Sequence, residues 1–196
     1  GSSSINAMVY IRGHAADYER WSQDGNAGWS YAEVLPYFKR AESFEGSGDD
    51  AYHGHSGPLG VKKSDRTDDL LLDRFVQAGE QAGFPLTDDF NGRQQEGFSR
   101  YEHTMKGTKR CSAARAYLHP VRDRQNLEIL SHTTVDRIRV EDRRAVAVDI
   151  VVKGQRRTLT ARKEIIVSAG ALNSPQILLR SGVGPADQIT PHGLAM

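Results

Sequence analysis

The residues best placed to do chemistry are hydrogen-bond donors rather than nucleophiles. Ser168, Ala169 and Gly170 follow Ile165, Ile166 and Val167 and precede Ser174-Pro175 and the apolar Ile177, Leu178 and Leu179. Consecutive β-branched residues are the pattern of a strand covered on both faces, as in a parallel sheet. Ser174 then reads as a helix N-cap and Pro175 as the first helical residue. A small-residue turn between strand and helix aims backbone N–H groups at whatever lies beyond the strand, which suits a phosphate or the polar edge of a ring system. An ordinary strand-to-helix connection uses the same residue types, and a Gly-containing turn alone does not separate the two. A second set of donors opens the chain. Gly1-Ser2-Ser3-Ser4 runs into Ile5, Met8 and Val9, whose i, i+3, i+4 spacing predicts one face of a helix, and serines ahead of a helix offer hydroxyls to an anion. A cloning remnant would read the same way.

The other reactive side chains carry less. His53, His55 and His103 lack the i, i+4 spacing of a helical zinc pair, and no Cys or Glu beside them completes a ligand set, so no metal residues are assigned. Asp88 and Asp89 are adjacent loop acids of the kind that cap or face water rather than transfer protons. Lys109 and Arg110 begin a segment, 109–118, read as a short helix after a turn at Gly107, with its basic residues on a solvated face or beside an anion. The single cysteine, Cys111, excludes an internal disulfide and reads as a buried inert thiol in a reducing, cytoplasmic setting.

These groups need a scaffold, and 196 residues are enough for one large domain or parts of two. A formal net charge of +1, from 26 basic and 25 acidic residues interspersed, argues against a nucleic-acid surface. No apolar run approaches the roughly 20 residues of a membrane helix. Two amphipathic helices are predicted within 15–42, with Tyr18, Trp21, Tyr31, Val34, Leu35 and Phe38 as an aromatic and aliphatic core stripe. A capping box joins Ser30 to Glu33, and Pro36 should kink or shorten the second helix. Residues 26–29 read as a turn and 43–60 as a loop. A helix over 67–83 has Thr67 as cap, Asp68 and Asp69 in its first turn, Leu71, Leu72, Phe75, Ala78 and Ala82 as its buried stripe and Gly83 as its stop. From Asn126 the period becomes that of strands: Leu127 with Ile129; Val135, Ile138 and Val140; Val146, Val148 and Ile150; Leu159 with Ala161. The fold class is mixed α/β, with an antiparallel meander feeding the strand at Ile165.

Gly170, Ala171, Ser174, Pro175, Ile177, Leu178, Ser181, Gly182, Val183 and Gly184 together resemble the second signature of the glucose-methanol-choline (GMC) family of flavin oxidoreductases. The opening GSSSINAMVYIRG resembles the latter half of the first signature, and the stretches LPYFKRAE, QQEGF and SAARAYLHP resemble the choline and alcohol dehydrogenase branch. The resemblance implies part of an FAD-binding Rossmann-like domain with its meander, over 1–57 and 107–196, and a piece of the substrate domain over 58–106. It implies an internal piece of a longer enzyme, with the G-x-G-x-x-G phosphate turn upstream and the catalytic His region downstream.

Carried over by position, the backbone of Asn6, Ala7, Met8 and Val9 would meet the flavin ring and pyrophosphate, with Gly1 and Ser2 just before them. Val135 would meet the adenine, and Ala169 and Gly170 would complete the cofactor set. Ile5 stands where some members attach the flavin through a His, so a non-covalent FAD is implied. Gln94, Gln95 and Glu96 would border the substrate cavity, and residues 186–194 would form a short helix and turn. No catalytic residue is assigned, since none of the histidines sits in a matching motif. The implied reaction is oxidation of a primary alcohol, choline or another, by hydride transfer to flavin N5, with an unspecified electron acceptor. The isolated 196 residues are expected to be inactive. An oxygen-using oxidase is an alternative for the parent enzyme, which would be cytoplasmic or peripheral to the inner membrane. A non-catalytic interaction piece is the alternative for the chain itself.

Overall fold

The computed structural model describes residues 1–63 and 69–193, so the expected cap Thr67, with Asp68, and Leu194 at the end of the expected short helix and turn lie outside the described residues. The chain divides into two compact units, Gly1–Leu127 and Glu128–Met196. In the first unit the elements are β1 (Val9–Tyr10), α1 (Ala15–Gln23), α2 (Tyr31–Ala41), β2 (Glu42–Glu45), β3 (Leu59–Lys63), α3 (Leu70–Gln81), β4 (Glu102–His103), β5 (Met105–Lys106) and β6 (Lys109–Arg110). The second unit holds β7 (Thr133–Glu141), β8 (Arg144–Val152), β9 (Gln155–Thr160), α4 (Asn173–Arg180) and α5 (Ala186–Ile189).

In the first unit a four-stranded sheet runs in the order β1-β4-β3-β2, with β2 and β3 parallel and the other pairs antiparallel. Phe44 and Val61 bury into it from adjacent strands. The predicted loop over 43–60 therefore contains most of β2. Its Glu42-Ser43-Phe44-Glu45 alternates buried Glu42 and Phe44 with half-buried Ser43 and exposed Glu45, but the first inward residue is a carboxylate, which hides the strand from a hydrophobicity pattern. The two amphipathic helices form as predicted. Glu33 Oε2 accepts both the Ser30 N–H at 3.1 Å and the Ser30 hydroxyl at 2.6 Å, the return half of the capping box. Pro36 does not end α2, because it lies on the exposed side, where water can reach the carbonyl that its missing N–H leaves free. Tyr18 packs its ring against Trp21, Tyr31 and Phe38 at centroid distances of 5.4–6.1 Å, although Trp21 stays half open to solvent.

Helix α3 is capped by Asp69, whose carboxylate accepts the Leu72 N–H at 3.3 Å, and Gly83 follows it at φ +86°. Of the predicted stripe only Leu72 turns inward. Leu71 is 82% and Phe75 62% exposed, Ala78 and Ala82 are also exposed, and Val76 and Gly79 join Leu72 on the inner side. The Phe98 ring seats against Gly79 where any side chain would stand, and that close approach sets the helix's rotation. The predicted helix over 109–118 also needs correction. Lys109–Arg110 pairs with Met105–Lys106 in a hairpin around Gly107, and helical structure begins only at Ala114. Cys111 is buried, with Sγ accepting the Gly60 N–H at 3.3 Å.

The second unit is the predicted meander, β7-β8-β9, antiparallel throughout. Both hairpins have two residues at positive φ, Asp142-Arg143 and Lys153-Gly154, as the tight primed turns that match strand twist require. Ile138, Ala147, Ile150 and Ile189 form its core. Asp149 staples the outer face: its carboxylate accepts from Arg139 Nε at 2.9 Å, Thr158 Oγ1 at 2.7 Å and Arg137 Nε at 3.0 Å. Those partners, Arg139 first, hold it far below the usual carboxylate range. Leu127 and Ile129 form no strand. Residues 165–167 form none either, and Ile166 is 78% exposed. A doubly covered strand needs a neighbour on each edge, and among the described residues no strand pairs with this run. Among the described residues no helix is long and apolar enough to cross a membrane.

Candidate cofactor-binding site

The opening segment is a single 3-10 turn, Ser2–Ser4, not the helix predicted through Ile5, Met8 and Val9. The chain leaves the turn at Asn6, whose Oδ1 accepts the Met8 N–H at 3.2 Å, and Met8 takes φ +65°. Val9 and Tyr10 then join the sheet opposite His103 and Glu102, so strand pairing overrides the helical spacing. A non-glycine residue in the left-handed region costs about 1–3 kcal/mol and persists only where its surroundings hold it. Here the Met8 carbonyl accepts the Thr104 N–H at 2.8 Å and the Thr104 hydroxyl at 3.3 Å. Arg110 Nη1 donates to the Ser3 carbonyl at 3.2 Å, the Asn6 carbonyl at 2.8 Å and Asn6 Oδ1 at 2.7 Å. Ser3 Oγ accepts the Ala113 N–H at 3.1 Å. Gly1, Ser2, Asn6, Ala7 and Val9 remain exposed, and the Ala7 N–H has no hydrogen-bond partner among the described residues. The segment is thus fixed in shape, open on one side, and carries a free donor.

In the second unit Gly170 has φ +94° and open space around it, and its N–H is likewise unpartnered among the described residues. Ser174 is not the N-cap. Helix α4 starts two residues earlier than expected, at Asn173 with Leu172 as N-cap, Pro175 falls third in the first turn, and Ser174 Oγ reaches back to accept the Ala169 N–H at 3.0 Å. That bond closes the bend and leaves Gly170 as its apex. Val135 lies on β7, next to a bulge between Val135 and Arg137. Val135 and Ala169 line one groove of 280 Å³ with Val148, Ile165, Val167 and Ile177. The structure therefore brings together Val135 and Ala169, with Gly170 beside Ala169, and separately collects Gly1, Ser2 and residues 6–9.

Sequence reasoning missed a buried polar cluster in the first unit. Glu42 is fully buried on β2, and its Oε1 accepts Arg12 Nη2 at 2.7 Å, His53 Nδ1 at 3.0 Å and the Gly54 N–H at 2.9 Å. His53 Nε2 donates onward to Asp89 Oδ2 at 2.7 Å, and its ring stacks on Phe44 at 3.9 Å. Asn91 Oδ1 accepts the Arg12 N–H at 2.7 Å, while its amide donates to the Tyr10 carbonyl at 3.1 Å and to Glu102 at 3.4 Å. Burial alone would pull the His53 pKa down, but its two carboxylate partners push it up to about 9. Burial would likewise raise Glu42 and Asp89, and their bonds, His53 foremost, hold both below the usual range. Glu102, by contrast, is raised by burial and by the nearby Asp89 charge. A protonated histidine with both ring nitrogens donating has no lone pair with which to take a proton, so the cluster is a structural clasp. Asp89 is half-buried within it rather than solvated. The neighbouring Gln95 donates to the Arg12 carbonyl at 2.8 Å, and Gln94 bonds the Leu86 and Glu96 carbonyls within its own loop. A histidine in the middle of a Gly- and Asp-rich loop offers no hydrophobic or spacing signal for any of this.

A mixed α/β fold with an open glycine bend before a helix, an antiparallel meander and a donor-bearing opening turn defines the class, and the comparisons agree. The GMC oxidoreductase family model matches residues 1–194, and the chain belongs to that family. It is 48% identical over 194 residues to an oxygen-dependent choline dehydrogenase of Brucella ovis, covering 99% of this chain and 35% of that protein. It is 50% identical to the mitochondrial choline dehydrogenase of Homo sapiens, covering 99% of this chain and 32% of that protein. Among solved structures, pyridoxine 4-oxidase from Mesorbium loti superposes over 100% of this chain and 38% of its own with TM-score 0.90 at 33% identity. An FAD-dependent oxidoreductase from Chaetomium thermophilum does so over 100% and 36% with TM-score 0.91 at 30% identity. The chain spans about a third of the length of the curated relatives it matches.

Proposed function

We propose that the protein carrying this chain is an FAD-dependent oxidoreductase that oxidises a primary alcohol, choline or a close analogue, to the aldehyde. The observation that carries this reading is the identity of about one residue in two to choline dehydrogenases across 99% of the chain. FAD, when bound, supplies the hydride acceptor for the alcohol carbon. The chain's own residues supply placement. The exposed Ala7 N–H in a loop locked at Met8, and the exposed Gly170 N–H at an apex where no side chain intrudes, suit the polar edge of a flavin ring and a pyrophosphate. Gly1 and Ser2, with Asn6, Ala7, Met8 and Val9, would form the first set of contacts, and Ala169 with Gly170 the second. Val135, on the groove it shares with Ala169, would meet the adenine. Residues 1–57 and 107–196 are assigned to the flavin domain and 58–106 to the substrate domain. No residue of this chain is assigned the proton-abstracting role.

In the full-length gene product under anaerobic conditions, choline is expected to bleach the visible absorption of bound flavin. Bleaching by other primary alcohols but not choline would move the substrate and keep the reaction. Bound flavin that no primary alcohol reduces would overturn the proposal.

A further inference from the structure

The segment expected to face the flavin is held by Arg110, a residue with no specific role in the sequence pattern. Arg110 lies on β6, 104 residues from Asn6 in the chain, yet one nitrogen of its guanidinium meets three oxygens of the opening turn. Two of the three belong to Asn6, and the third is the Ser3 carbonyl. Asn6 Oδ1 is shared: it accepts from Arg110 and from the Met8 N–H, so the guanidinium sets the side-chain rotamer that in turn holds the Met8 backbone. Met8 stands at φ +65°, where the backbone relaxes if its partners leave. The second anchor, Thr104 on the Met8 carbonyl, comes from the link between β4 and the β5-β6 hairpin, whose far strand carries Arg110. Thr104 and the hairpin that follows it therefore hold the opening segment at Ser3, Asn6 and Met8.

We infer that Arg110 is the positioning residue of the flavin site: through Asn6 it holds the Ala7 N–H and the left-handed Met8 in the arrangement that receives the cofactor. This role depends on the flavin reading of residues 6–9 proposed above. Nη1 carries two N–H groups for its three oxygens, so at least one N–H is shared between two of them. The donor is charged and the partners are neutral, so the bonds are charge-assisted on one side. Lysine keeps the charge but as a point on a flexible stem, without the fixed geometry of a guanidinium.

The test uses the full-length gene product with Arg110→Ala and Arg110→Lys, reading FAD dissociation and the visible circular dichroism of the bound flavin well below the melting temperature. Arg110→Ala is expected to weaken FAD binding about 10- to 100-fold and to change the dichroism of what remains bound. Arg110→Lys is expected to recover part of the affinity and less of the dichroism, and it carries the test alone if the alanine variant does not fold. A residue that merely supports the hairpin would lower the melting temperature and leave both flavin readouts at parent values. That result, in a parent that does bind FAD, overturns the role of Arg110. A parent that binds no FAD would instead remove the flavin reading itself.

Discussion

Glu42→Gln is expected to destabilise the first unit by about 3–5 kcal/mol, the range for breaking a buried ion pair by removing one partner. Glu42 is fully buried and its Oε1 is the meeting point of Arg12, His53 and the Gly54 N–H. Without its charge, the buried Arg12 and His53 face each other across the gap with Asp89 as the remaining counter-ion to His53. Domains of this size are stable by about 5–15 kcal/mol, so the loss is a large share of the total. Thermal unfolding followed by circular dichroism should show a melting temperature lower by about 10 °C or more. A companion change, Arg12→Met with Glu42→Met, should recover part of the loss, because Arg12 is then no longer left as a buried charge without its partner, while His53 keeps Asp89.

The same clasp sets a pH signature with a definite sign. His53 is raised in the folded state from 6.5 to about 9, so its contribution is fully present below about pH 6.5 and is lost as pH rises through about 9. Glu42 and Asp89 are lowered, so theirs is present above the ordinary carboxylate range and is lost as pH falls below it. In Glu42→Gln the alkaline slope should flatten, because one of the two carboxylates raising His53 is gone. An unchanged melting temperature and an unchanged alkaline slope would show that Glu42 is not the hub of the cluster.

Gly54→Ala is expected to cost about 3 kcal/mol or more, at the upper end of overpacking effects. A Cβ on Gly54 would sit inside the carbonyl of Lys39, at the end of α2, and backbone cannot swing aside as a side-chain tip can. Gly54 also donates to Glu42 and offers its carbonyl to the Phe44 N–H at 2.9 Å, so displacing it disturbs the buried cluster and β2 together. Gly83→Ala is the comparison: its Cβ meets nothing, and only the left-handed backbone at φ +86° opposes it, at about 1–2 kcal/mol. Equal losses in the two variants, measured by urea unfolding, would remove the steric account.

The parts of the fold that read directly from sequence are those with a local signature. The meander shows as alternation broken by Asp142-Arg143 and Lys153-Gly154, the α2 start as Ser30 with Glu33, and the α3 stop as Gly83. What failed depended on partners distant in the chain. Helical spacing at Ile5, Met8 and Val9 gave way to pairing with β4, and the rotation of α3 was set by Phe98 on Gly79. The buried cluster was illegible for the same reason, since Arg12, Glu42, His53 and Asp89 are scattered through the chain as ordinary polar residues. The candidate cofactor set came from a resemblance spanning whole motifs, and Arg110 became visible only when three of its hydrogen bonds crossed more than a hundred residues.

The opening turn and the Gly170 bend are each proposed to contact FAD, and amide hydrogen exchange of the full-length gene product with and without the cofactor reads each segment by itself. Exchange is expected to slow on FAD addition at the Ala7–Val9 amides and at the Ala169–Ala171 amides, the unpartnered Ala7 and Gly170 among them. Slowing at only one of the two segments, or at neither while FAD is bound, would overturn the proposal for the segment that stays unchanged.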